Sequence, residues 1–223
     1  MSGLDRPVKA VLFDLDGTLL DSAPELGAAA NALLLSLGLP VKPIADYRPY
    51  AGSGARGMLC VALDIGPDHA DYERHKTDLL TAYEAVLFKT VAFDEVATLL
   101  SQISQAGLPW GIVTNKAERF ALPLIASLPL LASAAAVVCG DTTPQAKPHP
   151  EPLFEAARRL GLAPSDCVYV GDDERDIVAG RAAGMRTVAA MYGYLGPQAQ
   201  PKAWGADASI ERISDLMGVL RLN

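Results

Sequence analysis

The sequence is poor in cysteine, in long apolar runs and in excess basic charge, and each shortage removes a class of protein. Its three cysteines, Cys60, Cys139 and Cys167, are an odd number without paired spacing. That argues against a disulfide framework and reads as three buried, reduced thiols. No apolar run approaches the roughly 18 residues that a membrane span needs. The N-terminus carries acidic Asp5 and leads into a strand, unlike a signal peptide. The formal net charge is -7. Such a surface repels polyanions, which argues against nucleic acid and against an anionic membrane as partners. A small anion is a different matter, since one local cation inverts the field inside a cleft. Internal repeats, low-complexity tracts and flexible linkers are also missing. What remains is a globular chain of 223 residues, half of them hydrophobic, expected in a reducing cytoplasm. Its oligomeric state is not legible.

Short apolar strands alternate with helices along this chain. Strand character is found at 8–13, 110–113, 135–139, 167–170 and 186–190, with helical stretches at 94–106, 117–127, 151–160 and 174–183. Continuously apolar strands separated by helices predict an α/β fold, a doubly wound parallel sheet covered on both faces. The segment 21–88 breaks the alternation. It reads as helical throughout, interrupted near Pro43, Pro49 and Gly66-Pro67, and is expected to be a helical cap inserted into a core made of 1–20 and 89–223. Ser22-Ala23-Pro24-Glu25 spells a capping box with proline near the first helical position. Leu26, Ala30, Leu33, Leu34 and Leu37 then share one helical face, and Gly38 is a stop.

In an open parallel sheet, ligands bind beyond the carboxyl ends of the strands. The first strand is followed by Asp14-Leu15-Asp16-Gly17-Thr18, the next by Thr114-Asn115-Lys116, and the third by Gly140-Asp141 and a loop carrying Lys147. The fourth is followed by Gly171-Asp172-Asp173, with Asp176 one helical turn on. Carboxylates, a hydroxyl and ammonium groups thus converge on one sheet edge. Charge dictates the chemistry they suit. A phosphate ester and a carboxylate nucleophile repel each other unless a cation bridges them. Asp14, Asp172 and the backbone carbonyl of Asp16 offer Mg²⁺ a hard oxygen set. Asp14 is then placed to attack phosphorus, and Asp16 to protonate the leaving alkoxide and later deprotonate water. Lys147 supplies a point charge. Thr114 and the amides near Asn115 face the phosphate oxygens, although both residues also suit a helix cap. Asp173 and Asp176 orient the metal's surroundings from behind. Two readings of Lys116 stand, phosphate or solvent, and His149 reads as a solvent-exposed loop residue.

These four stretches, in order and at strand ends, resemble the motifs of the haloacid dehalogenase superfamily, and the resemblance covers nearly the whole chain. It implies a small helical cap, a Mg²⁺ cofactor and phosphate contacts from Gly17 and Thr18 beside those already named. Dehalogenase members lack the second aspartate of the first motif, so Asp16 favours phosphatase or phosphomutase chemistry. Within the superfamily, the chain is similar to bacterial phosphoglycolate phosphatases through residues 13–22, 113–116 and 147–150. It also resembles a sister group, the N-acetylmuramic acid 6-phosphate phosphatases, through 54–56, 110–116, Tyr192-Gly193-Tyr194 and 204–207. The implied substrate is a small anionic phosphorylated metabolite. A sugar phosphomutase and a noncatalytic phosphate-binding protein are the rival readings.

One pattern points elsewhere. Residues 52–57 spell G-x-G-x-x-G, which invites a dinucleotide site. No strand precedes them, so a flexible cap loop facing the site is the better reading. Arg56 there is either a fork for a substrate carboxylate or a plain surface arginine.

Overall fold

The computed structural model describes residues 7–221; Asp5, on which the signal-peptide expectation rests, lies outside them. The strands are β1 (Ala10–Phe13), β2 (Leu20–Asp21), β3 (Val91–Ala92), β4 (Trp110–Val113), β5 (Ala136–Val138), β6 (Cys167–Gly171), β7 (Arg186–Ala190) and β8 (Ala208–Ile210). The helices are α1 (Ala23–Ser36), α2 (Ile44–Tyr47), α3 (Gly54–Leu63), α4 (Tyr72–Glu84), α5 (Val96–Gln105), α6 (Glu118–Ser127), α7 (Glu151–Leu160), α8 (Glu174–Ala182) and α9 (Leu216–Leu220). No helix among the described residues is long and apolar enough to cross a membrane.

Six strands form one sheet in the order β5-β4-β1-β6-β7-β8, every neighbouring pair parallel. This is the doubly wound arrangement expected from the alternation. Buried apolar side chains on both faces of β1 explain why that strand is central: Val11 and Phe13 join one core cluster, Ala10 and Leu12 the other. The strand order reverses at β1, which opens a crevice at its carboxyl end. Register then fixes the crevice walls. Phe13 lies opposite Ile112 on one side and Val170 on the other, and Val113 pairs with Val138. Asp14, Thr114 and Asp172 therefore emerge at one edge. Strand β8 has no counterpart in the expected set, since Ala208–Ile210 is too short to show a period.

Between Ala23 and Glu84 the inserted segment is built of α1 to α4, with a 3₁₀ stretch at Arg48–Ser53 between α2 and α3 and non-helical connections at 37–43 and 64–71. Helix α1 packs against α3 and α4, and its buried Leu26, Ala30, Leu33 and Leu34 form the expected stripe. Leu37 falls off that stripe and is 39% exposed. Gly38, at φ 70°, ends the helix as read. The strands β2 and β3, which bracket the segment, pair antiparallel with each other.

Three local expectations fail for identifiable reasons. The capping box at Ser22 does not form, because the Tyr194 hydroxyl accepts the N–H groups of Ser22 (2.7 Å) and Ala23 (3.1 Å) instead. Residues 52–57 are not a loop: Gly54 opens α3, and Gly57 lies so close to the Tyr50 carbonyl that an added Cβ would sit 2.1 Å from it. Cys139 and Cys167 are buried free thiols, but Cys60 is exposed on α3.

Candidate active site

Lys147 is the centre of the polar cluster. Its ammonium stands 3.0 Å from Asp14 Oδ1 and 2.7 Å from Asp176 Oδ1, and it donates to the Tyr169 hydroxyl at 2.7 Å and the Val113 carbonyl at 3.0 Å. Burial by itself would pull Lys147 down; Asp14 and Asp176 outweigh it and hold the group above its ordinary value. Its backbone is clasped by Asn115, whose Oδ1 accepts the Lys147 N–H at 3.0 Å and whose Nδ2 donates to the Lys147 carbonyl at 2.9 Å. Asn115 thus positions the lysine loop. Neither it nor Thr114 caps α6: Asp141 takes the Glu118 N–H at 2.8 Å, and the Thr114 hydroxyl accepts the Lys116 N–H.

The carboxylates differ in access. The Asp14 side chain is 13% exposed and that of Asp176 is 1% exposed, so only the former is open to a reactant. Burial, then Asp176 and Asp16 as like-charged neighbours, push Asp14 up to about 7 against the pull of Lys147. Asp172 is raised well above the carboxylate range by burial and by the charges of Asp14 and Asp176. No cation among the described residues reaches it. Its oxygens accept only the Thr18 hydroxyl (3.0 Å) and the Tyr194 N–H (2.8 Å).

Oxygens of Asp14, Asp172 and Asp176 lie within 4.8 Å of one another. Three buried or half-buried carboxylates with one ammonium between two of them form a site short of positive charge, and an all-oxygen donor set suits a hard divalent cation. A divalent cation therefore fits here. Asp176 is the least available of the three, because Lys147 and Tyr169 occupy one of its oxygens and the Asp173 N–H the other. The Asp16 carboxylate is held by Lys116 and is not among the three clustered carboxylates.

Lys116 belongs to the site and not to solvent. Its ammonium lies 3.0 and 3.2 Å from the two Asp16 oxygens and 2.7 Å from the Tyr83 hydroxyl of α4. Gly17 and Thr18, expected on the phosphate, face Asp172 instead: a Cβ on Gly17 would lie 2.2 Å from an Asp172 oxygen. Asp173 is taken by Arg175, whose guanidinium grips both its oxygens and also donates to the Gly52 carbonyl of the inserted segment. Asp173 and Asp176 form the capping box of α8. His149 is exposed, as read.

A cavity of about 500 Å³ covers this floor. The inserted segment supplies its roof, including Ala51 to Arg56, Tyr72, Leu80 and Tyr83. The sequence does not reveal the roles of Tyr83, Arg175 and Tyr194, nor that of Gly193, which lies so close to Asp172 that an added Cβ would clash with it. Tyr192-Gly193-Tyr194 lies just past the end of β7, so extending the search for polar strand ends to that strand would have found two of them. Tyr83 carries no local signal, its partner Lys116 being remote in the chain, and neither does the reach of Arg175 to Gly52, although its pairing with Asp173 is local.

The four motifs and their geometry have a counterpart among known proteins. A family described as haloacid dehalogenase-like hydrolase matches residues 8–184. The chain belongs to the haloacid dehalogenase-like hydrolases. It is 48% identical over 205 residues to a phosphoglycolate phosphatase of Xanthomonas campestris pv. campestris (strain 8004), covering 92% of each chain. It is 41% identical over 216 residues to an N-acetylmuramic acid 6-phosphate phosphatase of Pseudomonas aeruginosa, covering 96% of this chain and 95% of that one. A crystal structure of a predicted phosphoglycolate phosphatase from Haemophilus somnus 129pt superposes with a TM-score of 0.84 at 25% identity, over 96% of this chain and 99% of that one. Among haloacid dehalogenase-like hydrolases, then, relatives named for two different substrates stand close to this chain.

Proposed function

We propose that this chain is a Mg²⁺-dependent phosphomonoesterase acting on 2-phosphoglycolate, with Asp14 as nucleophile and Asp16 as acid and base. The observation that carries the reading is the pairing of an accessible Asp14, oriented by Lys147 at 3.0 Å, with Asp16 two residues on and lining the same cavity. The Asp14 carboxylate attacks phosphorus, and the bond from phosphorus to the ester oxygen breaks as Asp16 gives that oxygen a proton. An aspartyl-phosphate remains. Asp16 then takes a proton from water as the water attacks the same phosphorus, and Asp14 leaves as carboxylate. Mg²⁺ held by Asp14, Asp172 and the Asp16 carbonyl would neutralise charge on the phosphate. Lys147 steadies Asp14 throughout, and Thr114, Asn115 and Lys116 border the phosphate end.

Residues 21–88 act in this reading as a cap that closes over the substrate and excludes water. Arg56 then meets the substrate's carboxylate from above. The substrate 2-phosphoglycolate is supported by the 48% identical relative. N-acetylmuramic acid 6-phosphate is the second reading, supported by the cavity: about 500 Å³ falls in the range of sites for ligands much larger than a two-carbon ester. A cytoplasmic enzyme fits either.

The test is phosphate release from both esters and from a hexose phosphate, with Mg²⁺ and with chelator. Mg²⁺-dependent release supports the reading, and kcat/KM on the two acids names the substrate. Isomerisation of the hexose phosphate without release would make the chain a mutase. Turnover unchanged by Asp14→Asn would remove the nucleophile.

A further inference from the structure

Six basic side chains line the cavity, and four are already answered by carboxylates of the protein. Lys147 has Asp14 and Asp176, Lys116 has Asp16, Arg175 has Asp173, and Lys76 has Glu73 at 3.2 Å. Arg56 and Arg119 have no carboxylate partner among the described residues. Arg119 only lies over the Phe120 ring, 4.4 Å from its centroid. The first stands in the opening turn of α3, in the inserted segment, and the second in the opening turn of α6, beside the sheet.

We infer that Arg56 and Arg119 form a two-sided clamp for a second anionic group of the substrate, a carboxylate remote from the phosphate. This rests on the phosphomonoesterase reading and adds Arg119 to it as a second holder of the substrate's carboxylate. Thr114, Asn115 and Lys116 border the phosphate end, and the two arginines, exposed residues that line the same cavity, are free to meet the other end. A guanidinium fork matches a planar carboxylate, and two of them in one cleft favour a guest with an anionic group beside its phosphate, on a chain whose net charge is -7. Because one arginine comes from the roof and one from the floor side, a carboxylate held by both ties the two together over the ester. Arg119 is a specificity residue that no motif of the sequence signals.

Matched esters test this. One pair is 2-phosphoglycolate and 2-hydroxyethyl phosphate; the other is N-acetylmuramic acid 6-phosphate and N-acetylglucosamine 6-phosphate. Each pair differs in one carboxylate-bearing group. The wild type should prefer the carboxylated member of at least one pair by roughly ten- to a hundredfold in kcat/KM, the range of a charge-assisted hydrogen bond. Arg56→Ala and Arg119→Ala should each cut that ratio about tenfold, mainly through KM, and the double variant should bring it near one. Arg119→Lys should recover only part of it, lacking the fork. A ratio unmoved in the double variant, or equal turnover of both members by the wild type, overturns the clamp and leaves the phosphatase standing. Release from none of the four esters, by folded protein with Mg²⁺, overturns both.

Discussion

The backbone N–H of Tyr194 donates to Asp172 Oδ2 at 2.8 Å, while the hydroxyl of the same tyrosine accepts the first N–H groups of α1. One residue therefore joins the cation-deficient carboxylate to the root of the inserted segment. Tyr194→Phe keeps the first bond and deletes the second. It should cost about 1–3 kcal/mol in urea unfolding, the penalty for stranding buried N–H groups, and leave the Mg²⁺ requirement intact. A variant as stable as wild type would show that Ser22 forms its own cap after all.

Gly193 gives a sharper test of crowding at the same carboxylate. A Cβ there would lie 2.2 Å from Cβ of Asp172, whereas one on Gly218 meets nothing within 4 Å. Gly193→Ala is expected to raise the Mg²⁺ concentration for half-maximal activity at least tenfold by displacing Asp172, a typical cost of disturbing a ligand's support. Gly218→Ala should leave that concentration where it was.

Lys147→Met strands two buried carboxylates. Removing one partner of a buried ion pair costs about 3–5 kcal/mol, and that loss is expected in urea titrations of metal-free protein. A bound divalent cation would supply positive charge to Asp14 and within reach of Asp176, so saturating Mg²⁺ should shrink the loss. Equal losses with and without Mg²⁺ would place the cation elsewhere.

Asp14 titrates at about 7 when folded and near 3.8 when unfolded. Between those values the folded chain holds a proton that the unfolded chain has released. Stability therefore falls as pH rises through the window, each unit of difference being worth about 1.4 kcal/mol. Asp14→Asn lacks this proton and relieves Asp172 in the same sense. In metal-free protein the variant's Tm should gain on wild type from pH 3.8 to about 7 and then level off. Parallel Tm curves would contradict it.

The legible part of the site rests on geometry that needs no partner. A parallel sheet puts every strand end on one edge, so Asp14, Thr114 and Asp172 could be gathered from the polar residues just past each strand, and Lys147 from the loop that follows β5. Side chains whose role depends on a remote partner were not legible. Thr18 comes after Asp14 and Asp16 in the chain, yet it serves Asp172 across the sheet. Asn115 looked like a cap and is a clasp for Lys147. Ser22 lost its local capping bond to a hydroxyl that arrives from beyond β7, a competition that no spacing rule can weigh.

The pairing of β2 with β3 has a consequence for how this architecture can be altered. Leu20 lies opposite Ala92 and Asp21 opposite Val91, so the chain leaves the sheet domain and returns to it side by side, about one strand spacing apart. Everything between Asp21 and Val91 is in effect a cassette plugged into a single socket. A change of its length would enter and leave the chain at that one point, while a change of its composition would still meet the sheet through the core that Leu26, Met58 and Tyr83 share with Phe13 and Val170.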